Sequence, residues 1–141
     1  MSDAASIFRY SHRVTYAECT VGNHVYHARY LDLLEAARGE FFRGLGFLLL
    51  SLQEQDTVFP VIECQLRYKA PARYDDQLEI YVWVAELAGV RLGFSYRILN
   101  REEQLLVEGT TRHVCTGTAG KPKRLPKDLV EALRLHLRVE N

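Results

Sequence analysis

Residues whose side chains can do chemistry cluster between positions 16 and 38 of this 141-residue sequence. Within the segment, Glu18, Thr20 and His27 flank a turn that contains glycine. A carboxylate, a hydroxyl and an imidazole close together can position and deprotonate a small nucleophile. A free imidazole titrates at about pH 6.5, which suits a general base near neutral pH. We therefore predict a catalytic site that uses these three residues.

Two predicted elements position this site. The first is a strand over residues 8–20. Because side chains alternate along a strand, it would place Tyr16, Glu18 and Thr20 on one face. After the turn, a central helix is predicted over residues 27–42. Unpaired backbone N–H groups at the start of a helix suit an oxygen that becomes negative during a reaction, so we expect an oxyanion site there.

The predicted central helix carries an apolar stripe and two charged residues beside it. The stripe consists of Leu31, Leu34, Ala37, Phe41 and Leu45. A charge at the edge of such a stripe costs free energy unless it is paired or used, so we predict functional roles for Glu35 and Arg38. An ion pair between the two is the alternative. Gly39 costs the helix up to about 1 kcal/mol relative to alanine, and we attribute it to close packing against the sheet.

The rest of the sequence predicts an antiparallel sheet and a second helix. Four further strands have apolar runs or alternation between turn signals, and they cover residues 57–68, 77–86, 90–99 and 104–118. Their short connections favour antiparallel hairpins. A second helix is predicted over residues 126–138, with proline in its first turn. This order indicates an α+β fold, and the chain length indicates a single domain over residues 1–141.

The composition excludes several classes of function. Eighteen Lys and Arg residues balance eighteen Asp and Glu residues, whereas sequence-independent binding of nucleic acid needs an excess of positive charge. The first residues lack the pattern of a signal peptide, and the longest apolar stretch, residues 45–52, is too short to span a bilayer. The three cysteines form no C-x-x-C motif. We therefore expect a cytoplasmic protein with reduced thiols and no membrane span.

His24 and His27 have the H-x-x-H spacing that zinc sites use, and Cys19 is nearby. No second cluster of metal ligands follows in the sequence. Strand alternation is expected to point Cys19 into the core, opposite to Thr20, where a thiol is usually inert. We therefore predict a site without a metal ion and without a cysteine nucleophile.

Two motifs follow the turn, Val25-Tyr26-His27-Ala28-Arg29-Tyr30-Leu31 and Glu35-Ala36-Ala37-Arg38, and residues 68–76 and 120–126 add further matches. Together they resemble the hotdog-fold thioesterases of the 4-hydroxybenzoyl-CoA thioesterase family, in its acyl-CoA thioesterase branch. The resemblance extends over residues 8–135. It implies a hotdog fold, in which a curved antiparallel sheet wraps around a long central helix and a C-terminal helix follows. It also implies a homodimer or homotetramer whose sites are shared between subunits.

The resemblance further implies an activity, the hydrolysis of an acyl thioester of coenzyme A or of an acyl carrier protein to release a carboxylic acid. It implies no cofactor other than the coenzyme A that the substrate carries. Backbone N–H groups near His27 are expected to hold the thioester oxygen. Tyr16, Tyr26 and Glu35 are the residues expected to contact the substrate.

One position departs from the family pattern. The family has two acids, D/E-x-D, before the turn, and the second is its general base or nucleophile, whereas this sequence has Glu18-Cys19-Thr20. Three explanations stay open. In the first, Glu18 replaces the missing acid. In the second, Thr20 orients a water molecule while His27 is the base and Arg38 contributes charge. In the third, the protein binds acyl thioesters and hydrolyses them slowly or not at all.

Overall fold

A computed structural model describes residues 7–138 of the chain. Its main feature is a five-stranded antiparallel sheet against which a long helix packs. In chain order the strands are β1 (Phe8–Arg13), β2 (Cys19–Thr20), β3 (His24–Val25), β4 (Val61–Tyr68), β5 (Gln77–Ala88), β6 (Arg91–Leu99) and β7 (Leu105–Val114), and the helices are α1 (Arg29–Gly44), α2 (Leu49–Glu54) and α3 (Lys127–Arg134). None of these helices has the length and apolar character needed to cross a membrane.

The first predicted strand is interrupted. β1 ends at Arg13, and a 3-10 turn occupies Tyr16–Glu18 before the two residues of β2. The turn is closed by the Glu18 backbone N–H, which donates to the Thr15 carbonyl at 3.1 Å. The prediction that Tyr16, Glu18 and Thr20 lie on one strand face is therefore wrong, because a turn replaces the two-residue repeat.

The order of strands across the sheet is β1-β5-β6-β7-β4. The predicted hairpins β5–β6 and β6–β7 are confirmed. β4 precedes β5 in the sequence but pairs with β7 at the far edge. Seven of its eight residues are exposed, and they include the apolar side chains of Val61, Ile62 and Tyr68. β4 is thus an outer strand with one edge free of any partner within the described residues.

The core lies between α1 and the inner face of the sheet. The helix contributes the buried side chains Tyr30, Leu33, Leu34, Ala37, Phe41 and Phe42. The predicted stripe is wrong at Leu31, which is 39% exposed. The helix begins at Arg29 rather than residue 27, and its buried face includes Leu34, Ala37 and Phe41 of the predicted stripe. Burying each of these large side chains stabilises the fold by about 1.5–3 kcal/mol.

Helix α2 was not predicted, and it packs near Gly39, where the sequence predicts close packing against the sheet. A Cβ atom at Gly39 would meet only Leu49 Cδ1 of α2, at 3.8 Å, which is ordinary van der Waals contact. Close packing against the sheet is therefore not the reason for this glycine. The C-terminal helix is confirmed over Lys127–Arg134, shorter than its predicted range.

Candidate active site

The β2–β3 hairpin presents Thr20 at the surface immediately before α1. Thr20 and His24 are opposite each other in the hairpin register. The turn between them uses positive φ values at Gly22 and Asn23, 87° and 61°, which glycine and asparagine tolerate best. Within residues 7–138 the Thr20 hydroxyl has no hydrogen-bond partner, so it is available to a ligand or water.

His27 lies in the turn between β3 and α1, two residues before the helix begins. Its ring is exposed and packs against Tyr26, with 4.4 Å between ring centroids. Its backbone carbonyl accepts a hydrogen bond from the Tyr68 hydroxyl of β4 at 3.0 Å. Within the described residues, the backbone N–H groups of His27 and Ala28 have no acceptor. Two free donors thus lie beside an exposed imidazole, as the sequence predicts for an oxyanion site.

The Glu18 carboxylate is held by its neighbours. His12 Nε2 lies 2.9 Å from each of its oxygens, and the Thr15 backbone N–H donates to Oε1 at 2.8 Å. Burial raises the pKa of Glu18, but the hydrogen bonds from His12 and Thr15 outweigh it and leave the pKa below its ordinary value. Glu18 therefore fixes the 3-10 turn to β1. Nothing in the local sequence indicated His12 as its partner.

Two of the predicted substrate-contacting side chains are exposed tyrosines on this side of the molecule. Tyr16 is 80% exposed, and its ring meets that of Tyr74 edge to face. Tyr26 is about half exposed and lies against the ring of His27. The neighbouring Cys19 is packed against the core, and its thiol donates to the Thr15 carbonyl. Burial raises the pKa of this thiol, which favours the inert, protonated form.

Glu35 and Arg38 lie in a different place from the hairpin residues. Arg38 comes nine positions after Arg29 on α1, which is about 14 Å along the axis. The structure therefore places Thr20 on the hairpin and His27 in the turn after it, whereas Arg38 lies further along α1. Glu35 and Arg38 line a cavity of about 200 Å³, and its other lining residues are Phe42, Leu49, Thr57, Val58, Phe59, Phe94 and His113.

A buried chain of hydrogen bonds anchors Arg38. Its Nη1 donates to the Tyr96 hydroxyl at 3.0 Å, which lies 2.6 Å from Thr111 Oγ1. Thr111 Oγ1 is 2.9 Å from His113 Nε2, and His113 Nδ1 is 2.9 Å from the Phe59 carbonyl oxygen. A carbonyl only accepts, so His113 Nδ1 carries the proton, and in neutral His113 the Nε2 atom then accepts. Tyr96 donates to Thr111, Thr111 donates to His113, and His113 donates to Phe59.

The environment of this chain keeps His113 neutral. Burial, together with the smaller effect of the Arg38 charge, lowers the pKa of His113 to about 4, against the opposing effect of the hydrogen bond with the Phe59 carbonyl. Burial also raises the pKa of Tyr96, whose hydroxyl therefore remains protonated. Sequence reasoning missed Tyr96, Thr111 and His113, because their link to Arg38 depends on strand register rather than on spacing.

Metal binding has little support from the arrangement of side chains. In residues 7–138 no group of three or more His, Cys, Asp or Glu side chains is placed to hold a metal ion. His24 is the first residue of β3, and His27 lies in the turn that follows this strand. The absence of a metal from the working enzyme stays a prediction.

Comparison with known proteins decides the family. A family model described as the thioesterase-like superfamily matches residues 14–133. The chain belongs to the thioesterase-like superfamily. This match includes the hairpin, the start of α1 and the cavity residues, so both groups of candidate residues lie inside the thioesterase unit.

Individual relatives agree. This thioesterase is 38% identical over 126 residues to the acyl-CoA thioester hydrolase YbgC of Escherichia coli, a match that covers 89% of this chain and 94% of the relative. Hypothetical protein TT1821 from Thermus thermophilus superposes with a TM-score of 0.84 at 36% identity, covering 90% of this chain and 97% of the other. A DHNA-CoA thioesterase from Staphylococcus aureus superposes with a TM-score of 0.84 at 27% identity, and the match covers 89% of this chain and 87% of the other. The predicted hotdog fold and the predicted hydrolysis of an acyl thioester are confirmed.

Proposed function

We propose that this thioesterase hydrolyses an acyl-coenzyme A at the first turn of α1, releasing a carboxylic acid and free coenzyme A. The observation that carries the proposal is the pair of unoccupied backbone N–H groups at His27 and Ala28, in the turn that carries the exposed imidazole of His27 and follows the hairpin of Thr20. Coenzyme A is favoured as the thiol because the relative YbgC is named an acyl-CoA thioester hydrolase. An acyl carrier protein thioester is the alternative substrate.

The proposed reaction is attack by water on the thioester carbonyl carbon. The carbonyl oxygen becomes negative as the C–O bond forms, and the two backbone N–H groups stabilise it, a contribution that is typically about 3–4 kcal/mol for one lost donor. The His27 imidazole takes a proton from the water, and the Thr20 hydroxyl orients that water by a hydrogen bond. The C–S bond then breaks, and the imidazolium returns the proton to the leaving thiolate.

Among the three explanations for the missing acid, the contacts of Glu18 favour the one based on Thr20 and His27. A carboxylate that already accepts from His12 and from the Thr15 backbone would have to break those bonds to act as a base. Arg38 lies too far along α1 to contact the same carbonyl. We assign it to the acyl end of the substrate, in the cavity that it lines with Glu35.

The proposal includes no cofactor and no metal ion, since the steps above use only groups of the chain and the substrate. Coenzyme A enters as part of the substrate. Exhaustive treatment with a metal chelator is expected to leave kcat/KM unchanged, and a loss that added metal restores would contradict this part of the proposal.

We further propose that the working form is a homodimer, or a homotetramer built from such dimers, in which β4 pairs with a second copy. The support is the unpartnered edge of β4 within the described residues, since natural proteins cover such edges. Tyr68 of β4 holds the His27 carbonyl, so this pairing would place a partner strand next to the active site. The three free cysteines support a reducing compartment, and we propose the cytoplasm.

An activity screen tests the proposed function. Acyl-coenzyme A thioesters with short, long and aromatic acyl groups, and the same acyl groups on a carrier protein, are incubated with the wild-type protein, and free thiol is measured. Turnover of at least one coenzyme A ester is expected. Protection against thermal unfolding by these esters without any turnover would instead show a binding protein.

A further inference from the structure

The turn that carries the two free N–H groups spans Tyr26 to Arg29. The Arg29 backbone N–H donates to the Tyr26 carbonyl at 2.8 Å, and the Tyr26 N–H donates to the Glu18 carbonyl at 2.9 Å. The two residues inside the turn, His27 and Ala28, keep N–H groups that have no acceptor within residues 7–138. Donors stabilise a developing oxyanion best when they are held in place before the reaction. The contacts that hold the two ends of this turn therefore matter for catalysis.

Ala72, in the segment between β4 and β5, contacts the chain on both sides of this turn. Its carbonyl accepts a hydrogen bond from the Val25 backbone N–H at 2.9 Å, just before the turn. Its own N–H donates to the Tyr30 hydroxyl at 3.2 Å, just after the turn. A single residue from a distant segment is thus bonded to the chain before and after the free N–H groups.

These contacts of Ala72 are buried. Ala72 is fully buried, Tyr30 is 3% exposed and Val25 is 6% exposed. Water therefore has no access to replace the Tyr30 hydroxyl, and a buried N–H without an acceptor is costly. Burial also raises the pKa of Tyr30, so its hydroxyl stays protonated. The Tyr30 ring packs against the ring of Tyr68, with 5.6 Å between centroids, which fixes the direction of the hydroxyl.

The same segment is joined to the tip of the hairpin by Asn23. The side-chain carbonyl of Asn23 accepts a hydrogen bond from the Tyr74 N–H at 3.1 Å, and the backbone N–H of Asn23 donates to the Thr20 carbonyl at 3.1 Å. The β2–β3 hairpin has only two residue pairs and forms a sheet of its own. An isolated two-stranded hairpin is at best marginally stable, so the segment that contains Ala72 and Tyr74 supports the hairpin as well as the turn.

We propose that Tyr30 is a positioning residue for thioester hydrolysis. Its hydroxyl holds Ala72, and Ala72 fixes the turn so that the N–H groups of His27 and Ala28 point at the thioester oxygen. Tyr30 touches none of the reacting atoms and acts through Ala72. Asn23 supports the same segment from the exposed side of the hairpin. The inference rests on the proposed function, because it explains how the two proposed donors are held before the substrate arrives.

Tyr30→Phe tests this role, because it removes the acceptor of the Ala72 N–H and keeps the ring. We expect kcat to fall by at least about fivefold, since misaligned donors lose part of the stabilisation that an oxyanion site provides. A coenzyme A thioether with an alkyl chain of the same length has no carbonyl oxygen at the reacting position. Its inhibition constant is therefore expected to stay within about twofold of the wild-type value. Kinetics with the best acyl-coenzyme A and inhibition by the thioether are measured on the same samples.

Ile98→Val controls for a general loss of stability. Ile98 is fully buried on β6, and the substitution removes one buried methylene group and no polar atom. Urea unfolding of each variant identifies conditions in which it is folded. Under those conditions the kcat of Ile98→Val is expected to equal that of the wild type, whereas the kcat of Tyr30→Phe is reduced.

Asn23→Gly tests the same arrangement from an exposed position. Glycine tolerates the positive φ of 61° at this residue, and the substitution removes the acceptor of the Tyr74 N–H. We expect kcat to fall by about two- to fivefold, again with little change in the inhibition constant of the thioether. Glu103→Gly is the matched control, because Glu103 also has a positive φ, 63°, and lies in the turn between β6 and β7. This control should retain full activity.

Two results would overturn the inference and leave the proposed function in place. One is a folded Tyr30→Phe variant with the wild-type kcat, or, where Tyr30→Phe yields no folded protein, an Asn23→Gly variant with the wild-type kcat. The other is a Tyr30→Phe variant in which kcat and the affinity for the thioether fall together, as a merely structural role predicts. Absence of turnover of every thioester by the wild-type protein would overturn the proposed function itself, and this inference with it.

Discussion

The Tyr68 hydroxyl donates a hydrogen bond to the backbone carbonyl of His27 at 3.0 Å, and this bond joins the edge strand β4 to the turn that precedes α1. The rings of Tyr68 and His27 also meet edge to face, with 6.4 Å between centroids. The direction of the peptide after His27, and hence of its free N–H groups, therefore depends on a strand 41 residues away in sequence.

Replacing Tyr68 by phenylalanine removes this bond and keeps the ring. A neutral hydrogen bond contributes about 0.5–1.5 kcal/mol, so kcat/KM is expected to fall by about two- to tenfold as the donors at the helix start lose their alignment. Steady-state kinetics with the best acyl-coenzyme A measure the effect. Tyr81→Phe, on the outer face of β5, is the matched control and should retain full activity. Equal kinetics for the two variants would show that the bond has no catalytic consequence.

Replacing His27 by alanine removes the proposed base. We expect kcat/KM to fall at least about tenfold, because general base catalysis typically contributes about 10²–10⁴ in rate. His24→Ala, at the other end of the hairpin and outside the proposed mechanism, controls for the loss of an exposed imidazole. Undiminished turnover by His27→Ala would remove this residue from the mechanism.

Thr20→Asp restores the acid that the family pattern has at this position. A carboxylate placed at this exposed position is itself a base beside the oxyanion donors, so activity is expected to be unchanged or higher. The measurement is kcat against pH, and a new acidic limb is expected from the added carboxyl group. Loss of activity in a folded Thr20→Asp variant would show that the hydroxyl itself is required.

Glu18→Gln separates a structural role from a catalytic one. The substitution removes the charged acceptor of His12 and of the Thr15 backbone N–H, and we expect the free energy of unfolding to fall by about 1–3 kcal/mol. At a temperature where the variant is folded, kcat is expected to remain within about twofold of the wild type. Urea unfolding and kinetics are measured on the same sample. The reverse outcome, unchanged stability with activity nearly abolished, would identify Glu18 as the base.

The stability of the protein should depend on His113 in mildly acidic solution. Unfolded histidine binds a proton at about pH 6.5, whereas the pKa of folded His113 is lowered to about 4. Between these values the unfolded state binds more protons, so the free energy of unfolding falls as the pH falls, by about 2 kcal/mol from pH 7 to pH 5. Urea unfolding at the two pH values measures the slope. In the His113→Gln variant, the free energy of unfolding should depend less on pH by this amount. An identical dependence on pH in the variant and the wild type would contradict the prediction.

The free edge of β4 gives a prediction about assembly. Ile62 is 56% exposed on this strand, and Ile62→Glu should disfavour pairing with a second copy through charge repulsion and lost apolar contact. Sedimentation is expected to show a shift towards the monomer, together with lower kcat/KM. Leu135→Glu, at a site that is 76% exposed after α3, is the matched control. A wild-type protein that sediments as a monomer, or an Ile62→Glu variant with unchanged mass, would contradict the proposed assembly.

The sequence by itself indicated most of the elements and the candidate residues of the hairpin. Alternation in β5, helical spacing in α1 and the glycine turn before His27 are local patterns, and local patterns persist in any fold that the segment adopts. The motif from Val25 to Leu31 identified the family for the same reason. The error at residues 16–18 also has a local origin, since a 3-10 turn and a short strand differ little in composition.

Only the tertiary structure decided how the charged residues are used. The His12–Glu18 bond exists because a turn folds back on β1, and the Arg38–Tyr96 bond joins residues 58 positions apart. Such partners are chosen when strands fall into register and α1 docks on the sheet, and apolar burial, which is non-directional, drives that docking. The positions of the side chains in the folded chain decide which polar groups meet. No spacing in the sequence could therefore reveal that Arg38 donates a hydrogen bond to Tyr96 instead of pairing with Glu35.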